Sequence, residues 1–174
     1  MNIAELRELC KQTVGGEKRE RFDFSLQPGG FPRGAITELA GLGKTEIFVQ
    51  FLSENPKLRV AWIEDELTIY PCAVAQRGVS LSRVLFIEAH EDILWATFQV
   101  LRSHLFDCVV LSSLKTKIEE NNLRRLQLES EKGNAGVFLL TEELHRAWPI
   151  ALQINVHRGR GESAAKLKLK RERA

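Results

Sequence analysis

Ala35-Ile36-Thr37-Glu38-Leu39-Ala40-Gly41-Leu42-Gly43-Lys44-Thr45 is the stretch that decides the fold. Six residues alternate enough for a strand, two glycines make a turn, and a helix pattern opens at Thr45 and runs to about Ser53. Strand, glycine turn, helix is the opening unit of an α/β sheet. The rhythm repeats downstream. Residues 58–63 read as a second strand. Pro71 starts a short helix to about Arg77, with Gly78 just past its end. Residues 84–87 form a third strand. A helix is predicted from about Glu91 to Leu105, with Leu94, Phe98, Leu101 and Leu105 along one stripe and acids at its start. Residues 107–111 and 137–140 are apolar strands, separated by a helix from Glu119 to Lys132 that Gly133-Asn134 closes. Residues 151–157 alternate strictly, which predicts a half-buried strand.

Short apolar strands alternating with helices predict a mainly parallel sheet with helices on both faces, a three-layer αβα fold. Crossovers are then right-handed. Ligands of such sheets bind beyond the carboxyl ends of the strands, here residues 41–45, 64–66, 112–113 and 141. Trp62 and Trp95 read as core, and residues 28–34 as a turn cluster. A length of 174 residues fits one core, expected over 22–157. A helix and linker precede it over 1–21, with Ile3, Leu6 and Cys10 on one face. No apolar run approaches the ~20 residues of a membrane helix, and the first residues lack the apolar centre of a signal peptide, so a cytoplasmic protein without membrane contact is expected.

Net charge is +2, but it is uneven. The segment 158–174 carries seven bases and two acids, which leaves the body at −3. Lys166, Lys168 and Lys170 alternate with Leu167 and Leu169. In a strand the lysines fall on one face. They would either meet nucleic acid weakly and without sequence preference, or guard the edge of the sheet. Three separated cysteines and four histidines show no metal-ligand spacing, so no metal site is expected.

The glycine turn lies where a phosphate-binding loop GxxxxGK[ST] belongs, but it is too short. One residue, not four, separates Gly41 from Gly43, so three residues of the amide arch that wraps phosphates are missing. Lys44 and Thr45 remain to meet an anion at the helix N-terminus. Ser112 ends the central apolar strand where an acid would hold Mg²⁺. Glu64, Asp65 and Glu66 are available to orient a water, and three acids at a strand end more often form a solvated rim. An ATPase architecture without its chemistry is expected, with neither ATP nor Mg²⁺ as cofactor. Among the remaining candidates, Trp148 beside Arg146 reads as an interface anchor or as a loop residue folded onto the core. Arg124 and Arg125 would contact phosphate or a partner carboxylate, or face water.

Gly30-Phe31-Pro32-Arg33-Gly34-Ala35-Ile36-Thr37-Glu38-Leu39 resembles the lead-in to the phosphate loop of RecA-type recombinases. Residues 62–66 and 108–113 follow in the family's order. Leu123-Arg124-Arg125-Leu126-Gln127, Gly133 and residues 137–140 are similar to the small RecA-like proteins called ImuA or SulA-like. The resemblance spans residues 26–157. It implies that Glu66 occupies the place of the family's catalytic glutamate and Thr141 that of its glutamine switch. It also implies that residues 114–117 and 142–148 are shortened versions of the family's DNA-binding segments. The implied role is a non-catalytic accessory in the DNA-damage response, supporting error-prone translesion synthesis beside a polymerase-like or RecA-type partner. A partner-completed ATPase using Lys44, Thr45 and Glu66, and an SOS-type regulator binding a cell-division or recombinase protein without touching DNA, are the rival readings.

Overall fold

The computed structural model describes residues 19–158 and 166–172; the expected N-terminal amphipathic helix lies outside them. A seven-stranded sheet is built from β3 (Ile36–Ala40), β4 (Val60–Glu64), β5 (Val84–Glu88), β6 (Cys108–Ser112), β7 (Gly136–Thr141), β8 (Ile150–His157) and β9 (Lys166–Glu172), in the order β5-β4-β6-β7-β3-β8-β9. Every neighbouring pair is parallel except β8 and β9. Strands β3, β4 and β6 are buried along their whole length, as apolar runs between two helical layers must be. The α/β architecture is the expected one.

Two apolar clusters sandwich the sheet. One face packs Phe48, Phe51 and Leu52 of α1 (Lys44–Glu54) and Val74 of α2 (Pro71–Gln76) onto Trp62, Val110, Phe138 and Ile154. The other packs α3 (Ile93–Ser103) and α4 (Glu120–Gly133) through Phe98, Leu101, Leu123 and Leu126 onto Ile63, Leu111 and Leu139. Phe51 sits at the centre of an aromatic knot, its ring 5.1–5.7 Å from those of Phe22, Phe24, Phe31, Phe48 and Phe138. Offset and edge-on ring pairs at this spacing add to the burial itself.

Residues 28–34, expected as turn alone, also hold a strand. β1 (Arg21–Phe22) pairs antiparallel with β2 (Phe31–Pro32) as a two-residue ribbon. Two paired residues are below what alternation can reveal. Gly30 makes the ribbon possible, because at φ 66° an added Cβ would lie 1.8 Å from the Phe22 carbonyl oxygen. Arg21 donates to the Gly30 carbonyl at 2.9 Å. Arg33 lies over the Phe22 ring at 4.6 Å and bonds Asp107 at 3.2 Å. The Gly-Phe-Pro-Arg-Gly stretch is therefore a clamp that seats Phe22 and Phe31 on the core.

Three other expectations change. Trp95 is 64% exposed rather than core, because the buried stripe of α3 is Ala96, Thr97, Phe98 and Leu101. The helix expected from Glu91 begins at Ile93, after a 3-10 turn at His90–Asp92. β8 is buried on both faces over most of its length, not half-buried. Its polar Gln153 is covered by the β7–β8 loop, to which it donates at the His145 carbonyl.

The basic tail runs as a strand from Lys166 to Glu172, and Arg21 ties Glu172 at 2.7 Å. Leu167 packs against the core, while Leu169 is half exposed. Lys166, Lys168 and Lys170 are exposed. A chain ending at His157 loses that leucine contact and bares the β8 edge. We expect it to be less stable by about 1–2 kcal/mol from apolar burial alone, read as a melting temperature several degrees lower. An unchanged melting temperature would show that β9 contributes nothing to the fold.

Candidate functional site

Parallel strands send their carboxyl ends to one side of the sheet, and the turns leaving β3, β4, β6 and β7 meet there. They enclose a cleft of about 500 Å³ lined by Lys44, Thr45, Glu64, Ser112, Thr141 and His145 among others. This is the expected ligand position in such a sheet.

The glycine turn is closed on itself. Gly41 (φ 105°) and Gly43 (φ 95°) take left-handed backbone, and the Lys44 N–H donates to the Gly41 carbonyl at 3.4 Å. A side chain at Gly41 would place its Cβ 2.5 Å from the Val156 carbonyl oxygen. The turn is thus a tight link from β3 to α1, in place of an open ring of amides. Lys44 points across the cleft, and its Nζ meets Glu142 Oε1 at 2.5 Å. The lysine that would face a phosphate faces a carboxylate from the end of β7 instead.

The acids at the end of β4 are also committed. Glu64 and Asp65 are buried, contrary to the solvated rim expected of them. Glu64 accepts from the Trp62 indole at 2.9 Å, from the Thr68 backbone N–H, from the Thr68 hydroxyl at 3.1 Å and from the Ile69 N–H at 3.1 Å. It organises the chain leaving β4. Lys115 bridges Asp65 at 2.9 Å and Glu66 at 3.1 Å, and these two carboxylates push the lysine pKa up, chiefly through the hydrogen bond to Asp65. Ser112 is buried at the end of β6, paired in register with Glu64, and brings no charge. Among the described residues no cluster of His, Cys, Asp and Glu has the geometry to hold a metal ion.

The best-organised group of the region was not among the expected ones. Glu38, fully buried in the middle of β3, accepts from Thr141 Oγ1 at 3.0 Å, from the His145 N–H at 3.1 Å and from Gln153 Nε2 at 2.6 Å, and its Oε1 lies 2.6 Å from His145 Nδ1. The His145 Nε2 accepts from the Ile118 N–H at 3.2 Å. A backbone N–H can only donate, so Nε2 is bare, Nδ1 carries the proton, and the imidazole is neutral beside an ionised Glu38. Burial by itself raises the Glu38 pKa, but the hydrogen bonds and electrostatic contact from His145, with the hydrogen bond from Gln153, together outweigh it and leave the carboxyl below its ordinary value. A glutamate inside an apolar strand is the one signal that pointed here, since a buried charge needs partners.

The other expected site residues lie outside the cleft. Arg124 stacks over the Trp148 ring at 4.8 Å, and Arg125 over Phe98 at 4.6 Å, so both arginines lie on aromatic faces. Trp148 is about half exposed and joins Arg146 and Lys170 in a second groove beside the cleft. Lys166 and Lys168 lie further along β9.

No protein-family model matches the chain. Curated proteins do. Protein RecA of Ruminococcus albus is 27% identical over 132 residues, covering 72% of this chain and 32% of that protein. The RecA of Chlorobaculum parvum is 29% identical, with 72% and 37% covered. The RecA of Rhizobium leguminosarum bv. trifolii is 27% identical over 141 residues, with 77% and 36% covered. The chain resembles RecA. It spans about a third of the length of the curated RecA proteins it matches. Among the described residues no helix is long and apolar enough to cross a membrane.

The ionised Glu38 stabilises the fold at pH values above its ordinary pKa of 4.5, and that contribution is lost as the pH falls through the lower folded value. Glu38→Gln keeps the size but turns an amide toward the donors of His145 and Gln153. We expect a loss on the order of 2–4 kcal/mol at pH 7, and a gap to wild type that narrows toward pH 3. Urea unfolding at stepped pH reads both. A gap independent of pH would mean that Glu38 is not the charged hub.

Proposed function

We propose that the protein is a non-catalytic RecA-like accessory of DNA repair, of the ImuA or SulA-like kind, which acts by binding a polymerase-like or RecA-type partner during error-prone translesion synthesis. One observation carries the non-catalytic part. The charged groups that a nucleotide and its metal would use are engaged within the chain: Lys44 by Glu142, Asp65 and Glu66 by Lys115, Glu64 by the Thr68 and Ile69 amides, with Ser112 in the metal acid's position. The RecA similarity supports the repair context. Trp148, Arg146 and Lys170 around one groove, with Lys166 and Lys168 beyond it, support a contact face for a protein partner and for weak, salt-sensitive DNA binding.

A partner-completed ATPase is the second reading. The observation favouring it is that the Glu142 side chain is 86% exposed, so a partner can draw it off Lys44. Turnover of ATP measured with single-stranded DNA and with RecA separates the two. The accessory reading expects no turnover above background in any mixture, and a Lys44→Ala chain that still supports damage-induced mutagenesis in cells. Turnover that vanishes in Lys44→Ala would establish the ATPase.

A further inference from the structure

Two loops border the cleft: residues 113–119, between β6 and α4, and residues 142–149, between β7 and β8. Neither is part of a helix or of the sheet, so each needs tertiary contacts to hold its shape. They share one. The His145 ring belongs to the second loop and is buried. Through Nδ1 it donates to Glu38 on the central strand, and through Nε2 it accepts from Ile118 of the first loop. A single neutral imidazole therefore spans from the sheet through one loop to the other. Beside it, Leu114 and Ile118 of the first loop and Ala147 of the second belong to one apolar cluster, and Lys117 meets Glu143 at 3.6 Å through side chains that are 64% and 81% exposed, where an ion pair is worth little.

We propose that His145 is a latch that makes the two loops one two-state unit, closed when its Nε2 accepts from Ile118 and open when that bond is broken. The coupling follows from geometry. The ring cannot swing away from Ile118 without disturbing the 2.6 Å bond to Glu38, and the same carboxylate accepts from Thr141 and from the His145 N–H. Displacing either loop thus strains the bonds of the other. The loop 142–149 also carries Glu142, which pairs with Lys44, and Trp148, which stacks with Arg124. Opening at residues 113–119 then reaches the glycine turn and the Trp148 groove together. A group that occupies the cleft and shifts one loop would change the face offered at the other, which is what a shared two-state element does.

Amide hydrogen exchange on the full chain tests the latch. His145→Asn keeps an amide donor for Glu38 but is too short to reach Ile118. A second change, Thr116→Gly, loosens the first loop alone. In wild type, Thr116→Gly should speed exchange at residues 144–148, on the order of five- to tenfold, about the worth of one hydrogen bond. In the His145→Asn background it should speed exchange at 115–119 and leave 144–148 where they were. Equal transmission in both backgrounds, or none in wild type, overturns the proposal. If His145→Asn does not fold, nitrogen NMR of the wild-type imidazole decides: a neutral ring with its proton on Nδ1 is expected, and a proton on Nε2 excludes the latch.

Discussion

A carboxylate sealed inside a protein must be answered by donors, because leaving it unpaired costs far more than any one contact returns. Glu38 sits in the central strand, and its donors come from three places: Thr141 at the end of β7, His145 in the loop that follows, and Gln153 in β8. These bonds fix where the chain goes after β7. They bring Glu142 to Lys44 and Trp148 to Arg124, and they close β8 from above. The β7 side of the cleft takes its shape from satisfying this buried charge.

The cleft has the position of a nucleotide site and a different electrostatic design. A site built for a triphosphate presents positive charge and open amides to an absent ligand. Here the positive groups already have carboxylate partners and the amide arch is reduced to one closed turn. Binding an anion would require breaking Lys44 from Glu142 and leaving that acid beside the incoming charge. Similarity to RecA over 72% of the chain and the loss of these features are compatible. The sheet and the aromatic knot around Phe51 depend on apolar residues that do not take part in phosphate chemistry.

Much of the fold was legible because parallel strands are short apolar runs with little ambiguity in their setting. β3, β4, β6 and β7 fall within a residue or two of their expected limits. The two-residue ribbon of β1 and β2 was not, since its pairing rests on Gly30 and on the core beneath. Trp95 lies outside the core because the buried stripe of its helix runs through Ala96, Thr97, Phe98 and Leu101, and residue type alone does not tell which stripe faces the sheet. The shortened glycine turn and Ser112 could be read from spacing alone. The partners of Lys44 and Glu66 could not, because Glu142 and Lys115 are 98 and 49 residues away and are brought in by tertiary structure. Glu64 and Asp65 looked like a solvated rim for the same reason: burial at a strand end is decided by loops from elsewhere in the chain.

The proposed non-catalytic role requires that the cleft, in which Glu142 holds Lys44 and Lys115 holds Asp65 and Glu66, bind no nucleotide. Titration calorimetry with Mg²⁺ and ATP on the full chain tests it most directly. The account predicts no saturable heat at millimolar ATP, and the same flat trace for wild type and Glu142→Gln. Saturable binding with a dissociation constant in the micromolar range, about −8 kcal/mol at 1 μM, would contradict it.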